Sequence, residues 1–467
     1  MDLFRKKSIA DLVRGTEVNG LRKTLGATDL VLLGIGCIIG TGIFVLTGVA
    51  AAKYAGPGIM LSFVLSGFAC AFAALAYSEL SSMVPVTGSA YTFTYVSMGE
   101  VVAFAVGWAL ICEYTIGSAA VAAGWSGYLV GLLKSAGIVL PTAWTAVPAD
   151  GGILNVPAVL ITTFLSYLLM LGTRESANLN KFLVAIKLGC IAFFLLFATP
   201  HINPLNWQPF LPYGWSGVSA GAAIVFFAYI GFDTVSTAVE ECKNPNRDIP
   251  IGIVGSLIIC TVLYIAVAAV LTGVVPYSTL NNSEPVAYAL RAIGMNFGSA
   301  LVALGAICGI TTVLLVFMYG QTRVFLAMAR DGMIPQSLVK IHPKYGTPHL
   351  ITLAAGGVVS VLSGLLPINI IAELCNMGTL FAFILVSIGV GVLRRTQPDA
   401  HRPFRCPAAG VVVPMAVLLC GYLIANLPIE TMEFFGAWYV IGMIVYFTYS
   451  RKHSTMAPKP GEFSQKG

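Results

Sequence analysis

Four glycines lie within nine residues of the first apolar run, GIGCIIGTGIF, at positions 34, 36, 40 and 42. Each glycine weakens a helix by about 1 kcal/mol relative to alanine, so a break is predicted near Gly40, Thr41 and Gly42. The half-helix after such a break would present free N–H groups and a positive dipole end, which suit a carboxylate. The alternative is a packing face in which Gly36 and Gly40 allow close helix contact.

A second candidate break lies in the apolar run GAAIVFFAYIGFDTVS. Asp233 and Thr234 follow shortly after Gly231, and they resemble an N-cap that opens a second half-helix. Carbonyl groups freed near Phe227, Ala228 and Ile230 could accept hydrogen bonds from an ammonium group. The alternative is a continuous, aromatic-rich packing helix.

Lys187 and Glu113 lie inside apolar runs, where a charge is costly and therefore indicates a function. Lys187, in VAIKLGC, could gain and lose a proton there, or its stem could snorkel to the membrane surface. Glu113, in WALICEYTIGSAA, is a candidate pocket or coupling residue, or one half of a structural pair. Met318 could line a pocket, although methionine at helical spacing is more often core.

The elements that hold these residues must be membrane helices. Of the 467 residues, 57% are hydrophobic and only 10% are charged, whereas soluble domains carry about 25% charged residues. The net charge of +6 does not indicate a nucleic-acid partner, because the charges lie in short segments between apolar runs. The expected surroundings are a lipid bilayer.

Runs of about 20 apolar residues mark membrane spans. Reading for such runs predicts twelve spans, at 29–52, 59–84, 99–131, 155–172, 182–199, 217–239, 251–273, 298–322, 350–366, 370–393, 411–428 and 434–450. The segment 203–217 is predicted to be an external loop, 283–291 a short amphipathic external helix, and 323–340 an interfacial helix on the cytoplasmic side.

The distribution of basic residues orients these spans. Of the 26 Lys and Arg residues, 22 fall on one side, three fall on the other, and Lys187 falls inside a span. The positive-inside rule then places both termini in the cytoplasm. We therefore expect a cytoplasmic leader at 1–28 and a cytoplasmic tail at 451–467.

The two candidate breaks lie in spans one and six, five spans apart. Interrupted spans in matching positions of two halves are typical of inverted-repeat transporters. The repeats would be 29–199 and 217–393, and spans 11 and 12, at 411–450, would be an addition. The sequence contains no HExxH, CxxC or Walker A motif, so neither a metal site, a cofactor nor an ATP-driven pump is predicted.

Four stretches, in this order, resemble signature segments of the amino acid–polyamine–organocation (APC) superfamily. They are GIGCIIGTGIFVLTG in span one, SELSSMVPVTGSAYTF after span two, FFAYIGFDTVSTAVEECKNPNRDIPIGI from span six, and YGQTRVFLAMARDGMIP from span eight. The resemblance covers roughly residues 20–450. Within the superfamily the sequence is most similar to the bacterial form of the cationic amino acid transporter (CAT) subfamily.

The resemblance implies an all-α membrane protein of the LeuT type, with a 5+5 inverted repeat plus two additional helices. It implies a secondary active transporter of the plasma membrane that imports L-amino acids, held between spans one and six. The carried-over substrate residues are Ile39, Thr41 and Gly42 for the carboxylate, and the carbonyls of Phe227, Ala228 and Ile230 for the amino group.

Lys187 matches a lysine that, in proton-coupled relatives, stands where sodium-coupled relatives bind sodium. The resemblance therefore favours proton symport, with Met318 facing the substrate side chain. No acidic residue is evident among the matched pocket positions, except Glu113, so neutral amino acids are favoured over cationic ones. An amino acid exchanger or a polyamine carrier on the same fold is the alternative, and an enzyme is not expected.

Overall fold

The computed structural model describes residues 3–9, 25–84, 89–172 and 177–456. Within these ranges the regular structure is helical, and the strand-like pairing is a single bridge between Leu25 and Cys242. Helices satisfy their own backbone hydrogen bonds, which lipid cannot do. The predicted all-α class is confirmed.

The longer α-helices are labelled here in chain order. They are α1 (Ala27–Ile38), α2 (Ile59–Met83), α3 (Ser89–Ser97), α4 (Glu100–Ser135), α5 (Val156–Met170), α6 (Ala177–Ala198), α7 (Gly214–Val225), α8 (Pro245–Val274), α9 (Pro285–Ala292), α10 (Asn296–Arg330), α11 (His349–Leu365), α12 (Ile368–Thr396), α13 (Ala409–Ala425) and α14 (Ile429–Val445). Single helical turns at Thr142–Thr145 and Arg451–His453 add to these.

In the described part of the chain, eight helical stretches are long and apolar enough to cross a bilayer. They are Gly42–Met83, Glu100–Ser135, Asn180–His201, Gly214–Ser236, Pro245–Val274, Asn296–Arg330, Ile368–Thr396 and Ile429–His453. Four shorter apolar helices, α1, α5, α11 and α13, accompany them. Each of the twelve predicted spans overlaps one of these stretches or helices.

The first predicted span is interrupted near its middle. α1 ends at Ile38, Ile39 is extended (φ −75°, ψ 106°), and a π-helical turn begins at Gly42. A turn of α-helix at Thr47–Ala50 and a second π-helical turn at Ala51–Ala55 complete this span. The break predicted from the glycine cluster is confirmed.

The sixth predicted span is also interrupted. α7 passes into a 3₁₀ turn at Phe226–Tyr229, Ile230 is extended, and a 3₁₀ helix follows at Phe232–Glu241. Gly231 joins the two halves with a φ of +118°, a conformation that favours glycine. The predicted break is confirmed, but the predicted N-cap at Asp233 and Thr234 is wrong, because Gly231 occupies that position and both residues lie inside the 3₁₀ helix.

Two of the three predicted non-spanning elements need comment. A short helix is present where one was expected at 283–291, as α9. The interfacial helix expected at 323–340 is wrong, because α10 continues without a break to Arg330. The chain turns only at Gly332, which has a φ of +74°, and a short 3₁₀ turn follows at Gln336–Val339.

The two terminal segments meet on one face of the molecule. The guanidinium of Arg5 donates a 2.7 Å hydrogen bond to the carbonyl of Met456. We call this the terminal face, and the other end the opposite face. The predicted leader and tail are described only over 3–9, 25–28 and 451–456. Arg174 and residues 85–88 of the second signature stretch also lie outside the described residues.

Candidate functional site

The two breaks lie side by side. A methyl group added to Gly42 would come within 2.3 Å of the Cα atom of Ala228, so the two backbone segments are in contact there. A methyl group on Gly231 would lie 2.9 Å from the carbonyl oxygen of Cys37. The two interrupted spans therefore run past each other in opposite directions, with both breaks at the same level. We call this junction the break site.

Tyr264, on α8, joins the two breaks through its hydroxyl. The oxygen lies 3.0 Å from the carbonyl of Ile38 and 2.8 Å from the carbonyl of Ala228. The last carbonyls of a helix have no partner within it, so a side-chain donor is needed when they are buried. The ring is fully buried against Phe63 and Tyr229, with centroids 5.4 Å away in each case. The sequence interpretation missed Tyr264, whose polar group in an apolar run was the available signal.

The residues expected to hold a carboxylate are buried at the start of the second half of span one. Ile39 is 0% exposed and Thr41 is 1% exposed, and Gly42 is also buried. The hydroxyl of Thr41 lies 3.4 Å from the carbonyl of Val121 on α4. Its side chain packs onto Gly124, where an added methyl group would lie 2.4 Å from Thr41 Cγ2. α4 thus forms one wall of the break site.

The residues expected to hold an amino group lie on the other side of the junction. Phe227, Ala228 and Ile230 are all buried, and the N–H of Ile230 donates to the carbonyl of Phe227 at 3.3 Å. The carbonyl of Ala228 already accepts from Tyr264, which leaves its second lone pair for another donor.

Asn376, on α12, supports the end of α7 just before this break. Its amide nitrogen donates to the carbonyls of Ala223, at 2.7 Å, and Ile224, at 3.1 Å. These carbonyls also belong to the last turn of a helix. The sequence interpretation missed this asparagine, which lies inside the tenth predicted span.

Lys187 lies inside the helix bundle rather than at the membrane surface. Its exposure is 0%, and its Nζ donates a 2.6 Å hydrogen bond to the carbonyl of Gly36 on α1. Its stem packs against Gly309 of α10, where an added methyl group would lie 2.9 Å from Lys187 Cγ. The snorkelling alternative is therefore wrong. Lys187 links α6 to the half-helix just before the first break.

Glu113 is a buried carboxylate on α4, with an exposure of 2%. Within the described residues, its Oε2 has no hydrogen-bond partner. It lies close enough to the buried Asp233 for the two carboxylates to interact electrostatically. A methyl group on Gly378 of α12 would lie 3.5 Å from Glu113 Cβ. Glu113 thus lies where α4 packs against α12, near the second half of span six.

Met318 lies on a different face of α10 from the residue that meets the first break. Its Cε would lie 3.7 Å from a methyl group on Gly356 of α11, whereas Val313 lies 3.0 Å from one on Gly40. At 3.6 residues per turn, Met318 is rotated by about 140° from Val313, and Phe317 by only about 40°. The pocket role of Met318 stays a prediction.

Phe317 packs against the α4 wall of the break site. Its ring meets Tyr114 edge-on, with centroids 5.8 Å apart, and a methyl group on Gly117 would lie 2.6 Å from the ring. Gly117 and Gly124, the partner of Thr41, are seven residues apart and share one face of α4. Phe317 is therefore a second candidate for the substrate side-chain position, one residue before Met318.

Comparisons with known proteins identify the family of this chain. The family model described as "Amino acid permease" matches residues 25–449. The branched-chain amino acid permease BcaP of Bacillus subtilis (strain 168) is 49% identical over 460 residues, covering 97% of this chain and 99% of that protein. The methylthioribose transporter of the same organism is 44% identical over 456 residues, covering 97% and 99%.

A more distant relative extends the comparison to plants. The chloroplastic cationic amino acid transporter 9 of Arabidopsis thaliana is 40% identical over 393 residues, covering 82% of this chain and 68% of that protein. The expected APC resemblance is confirmed, and the chain is a multi-pass membrane transporter rather than an enzyme. The chain belongs to the amino acid permease family of the APC superfamily.

Proposed function

We propose that this protein is a proton-coupled symporter that imports neutral L-amino acids across the plasma membrane. The observation that carries the proposal is the meeting of two interrupted helices inside the bundle, with Tyr264 between their carbonyls. Irregular backbone at membrane depth is tolerated only where it is buried in protein or lines a cavity. Here the interrupted backbone supplies N–H groups from one span and carbonyl groups from the other at the same depth in the bundle.

The substrate's two charged ends would bind to these peptide groups. N–H groups at the start of the second half of span one, around Ile39, Thr41 and Gly42, would hold the carboxylate, aided by the positive helix end. Carbonyls of Phe227, Ala228 and Ile230 would hold the ammonium group. Because Gly42 and Ala228 touch in this structure, spans one and six must separate slightly at the break site to admit a substrate.

The architecture we propose is a LeuT-type arrangement of twelve spans with both termini in the cytoplasm. Repeats at 29–199 and 217–393 would carry one interrupted span each, at matching positions, and 411–450 would be the addition. The terminal face would then be the cytoplasmic side. The basic residues of 1–28 and 451–467 would lie on that side.

Lys187 is the proposed proton-coupling residue. A fully buried ammonium group is costly in a dry interior unless it is paired, and here it is held by the carbonyl of Gly36. Loss of its proton when α1 moves would weaken this link, and regaining it would restore α1 to its place. Glu113, with its neighbour Asp233, is a second candidate for coupling.

The proposed substrates are neutral amino acids because the pocket walls near the breaks are apolar. Val313 and Phe317 contribute apolar side chains from α10, and burial of a charged side chain beside them would cost free energy. The name of the Bacillus subtilis relative, branched-chain amino acid permease, also favours neutral cargo. Alanine-sized and branched-chain side chains are the first to test, and cationic ones the second.

Reconstitution tests the whole proposal. Proteoliposomes with an imposed inward proton gradient should accumulate labelled alanine or a branched-chain amino acid, and a protonophore should abolish the accumulation. The panel should include arginine, putrescine and methylthioribose. Counterflow without any pH dependence would favour an exchanger, and uptake of putrescine alone would favour a polyamine carrier. Absence of uptake and of binding across the panel would refute amino acid transport.

A further inference from the structure

The connection between α10 and α11 exposes large apolar side chains on the terminal face. Asp331, directly after α10, pairs with Lys7 of the N-terminal segment at 2.5 Å, so this end of α10 lies on that face. We call residues 335–348 the connecting loop. Within it Leu338 is 44% exposed and Ile341 is 51% exposed. Apolar surface is costly in water, so these side chains are expected to meet an apolar phase.

The connecting loop is held firmly against the bundle. Its 3₁₀ turn, Gln336–Val339, packs against both α10 and α11, and Val339 is buried. The hydroxyl of Thr347 donates a 2.5 Å hydrogen bond to the carbonyl of Met170 in the last turn of α5. Leu338 and Ile341 are therefore exposed on a fixed backbone that keeps them on the outside.

A tight turn carries the exposed side chain of Lys344. The N–H of Gly346 donates to the carbonyl of His342 at 2.9 Å, and the N–H of Lys344 donates to Nδ1 of the same histidine at 3.2 Å. The ring of His342 also contacts Tyr345 and His349, with ring centres 4.8 Å and 4.9 Å away. These contacts fix the backbone of the turn and leave the ammonium group of Lys344 on the surface.

Two positive charges of the connecting loop are not neutralised by the protein. Lys340 and Lys344 are both exposed, and neither forms an ion pair within the described part of the chain. The sequence from 332 to 349 contains no Asp or Glu. Lys344 Nζ lies 5.3 Å from the centre of the Tyr345 ring. The loop therefore complements a negatively charged group from outside the chain.

The exposed surface of α11 shows where the connecting loop lies relative to the bilayer. The large exposed apolar residues of this helix share one face, and they are Leu350, Leu353, Val358, Val361 and Leu365. In a membrane transporter such a face meets the hydrocarbon of the bilayer. The stripe begins in the first turn of α11, immediately after the connecting loop. The loop is therefore at the level of the lipid headgroups.

We propose that the connecting loop binds an anionic phospholipid. Leu338 and Ile341 would lie among the upper parts of the acyl chains, and Lys340 and Lys344 would lie beside the headgroup. Apolar residues combined with lysines bind a segment to an anionic membrane surface. Each basic residue near such a surface favours anionic lipid about fivefold. This inference goes beyond the proposed function and does not depend on it.

Native mass spectrometry of the full-length protein tests the headgroup preference. The protein would be incubated with equal amounts of phosphatidylglycerol and phosphatidylcholine that carry the same acyl chains. The wild type should retain mainly phosphatidylglycerol. The variant Lys340→Gln/Lys344→Gln should bind phosphatidylglycerol about thirtyfold more weakly relative to phosphatidylcholine, because two lysines are lost. A wild-type preference in this variant would overturn the proposal.

Lys53→Gln/Lys134→Gln is the matched control. It removes two exposed lysines from the opposite face, so the net charge changes equally. Lys53 lies near the carboxylate of Glu373 and Lys134 near that of Glu284, which offset their charges. This variant should keep the wild-type preference for phosphatidylglycerol. An equal loss of preference would overturn the proposal, because the lipid would then respond to net charge and not to the connecting loop.

A second variant tests the apolar contacts. Leu338→Ser/Ile341→Ser keeps both lysines, so it should weaken the binding of the two lipids alike and leave their ratio unchanged. Wild-type binding of both lipids would overturn the insertion of these side chains. Displacement of phosphatidylglycerol by free glycerol 3-phosphate would overturn the lipid as the occupant and assign the lysines to a soluble phosphate.

Hydrogen exchange in nanodiscs locates the lipid. Adding phosphatidylglycerol to phosphatidylcholine nanodiscs should slow amide exchange between residues 338 and 347 in the wild type, but not in Lys340→Gln/Lys344→Gln. Unchanged exchange of this segment in the wild type would overturn the site. Exchange within α10 should be the same in all variants, which shows that they are folded. None of these measurements uses transport, so protein that binds the lipid but carries no amino acid would refute only the proposed function.

Discussion

Replacing Tyr264 with phenylalanine removes one oxygen atom from the break site and little else. The ring would keep its packing against Phe63 and Tyr229. The lost hydroxyl is the group that lies 3.0 Å from the carbonyl of Ile38 and 2.8 Å from that of Ala228. Both carbonyls belong to helix ends created by the breaks, so no helical N–H replaces the donor.

The expected cost follows from these contacts. A buried polar group left without its partner costs about 1–3 kcal/mol. One hydroxyl proton serves two carbonyls here, so we count one strong and one weaker bond and expect about 2–3 kcal/mol. If the substrate-bound state needs the two breaks in register, binding should weaken by about 30–150-fold, since 1.4 kcal/mol corresponds to tenfold.

The matched control is Tyr229→Phe. Tyr229 is equally buried in the same aromatic cluster, and its hydroxyl donates a 2.8 Å hydrogen bond to the carbonyl of Phe63. Phe63 lies inside α2, where its carbonyl also has a helical partner. Tyr229→Phe should therefore lower thermal stability slightly while leaving substrate binding within about threefold of wild type.

The assay is alanine or branched-chain amino acid binding to purified protein, followed by uptake into proteoliposomes. Wild-type affinity in Tyr264→Phe would refute the argument that its hydroxyl holds the breaks in register. Equal weakening by Tyr264→Phe and Tyr229→Phe would refute it as well, because the loss would then reflect the aromatic cluster and not the carbonyls.

Four further substitutions test neighbouring parts of the site. Lys187→Met keeps the stem against Gly309 but removes the hydrogen-bond donor to the carbonyl of Gly36. Gradient-driven uptake should therefore fall at least about tenfold while the protein stays folded. Full proton-driven uptake would show that the lysine is not needed for coupling. Gly42→Ala places a methyl group 2.3 Å from Ala228 Cα and should reduce uptake to near background, whereas wild-type uptake would show that the two breaks need not approach this closely. Phe317→Ser should widen the range of accepted side chains in competition assays, and Met318→Ser should change it less. The reverse ranking would favour Met318 as the pocket residue.

Local sequence was enough to predict the helices and the two breaks. Apolar runs of the length of the membrane become helices because the backbone has no other partner there. The glycines at 34–42 and at 231 predict interruptions because they remove helix propensity at the position where they stand. The interfacial helix predicted at 323–340 was wrong because the apolar run was taken to mark the end of the helix. No residue before Gly332 breaks the helix, so α10 continues past that run.

The sequence alone could not assign side chains to the faces they occupy. Met318 and Phe317 are adjacent, yet one residue rotates the side chain by about 100° around a helix. Whether Phe317 or Met318 faces the first break depends on how α10 packs against α4 and α11. The ion pair between Arg5 and Glu100 could not be predicted either, because the two residues are 95 positions apart in the chain.

The residue order of this protein determined its membrane class, the positions of its helices and the places where two of them break, because each depends on hydrophobicity and backbone propensity over a few neighbouring residues. Tertiary structure alone decided which groups satisfy the carbonyls that the breaks release. Lys187 reaches Gly36 across 151 positions and Tyr264 reaches Ile38 across 226, and such partners meet only when the whole bundle packs.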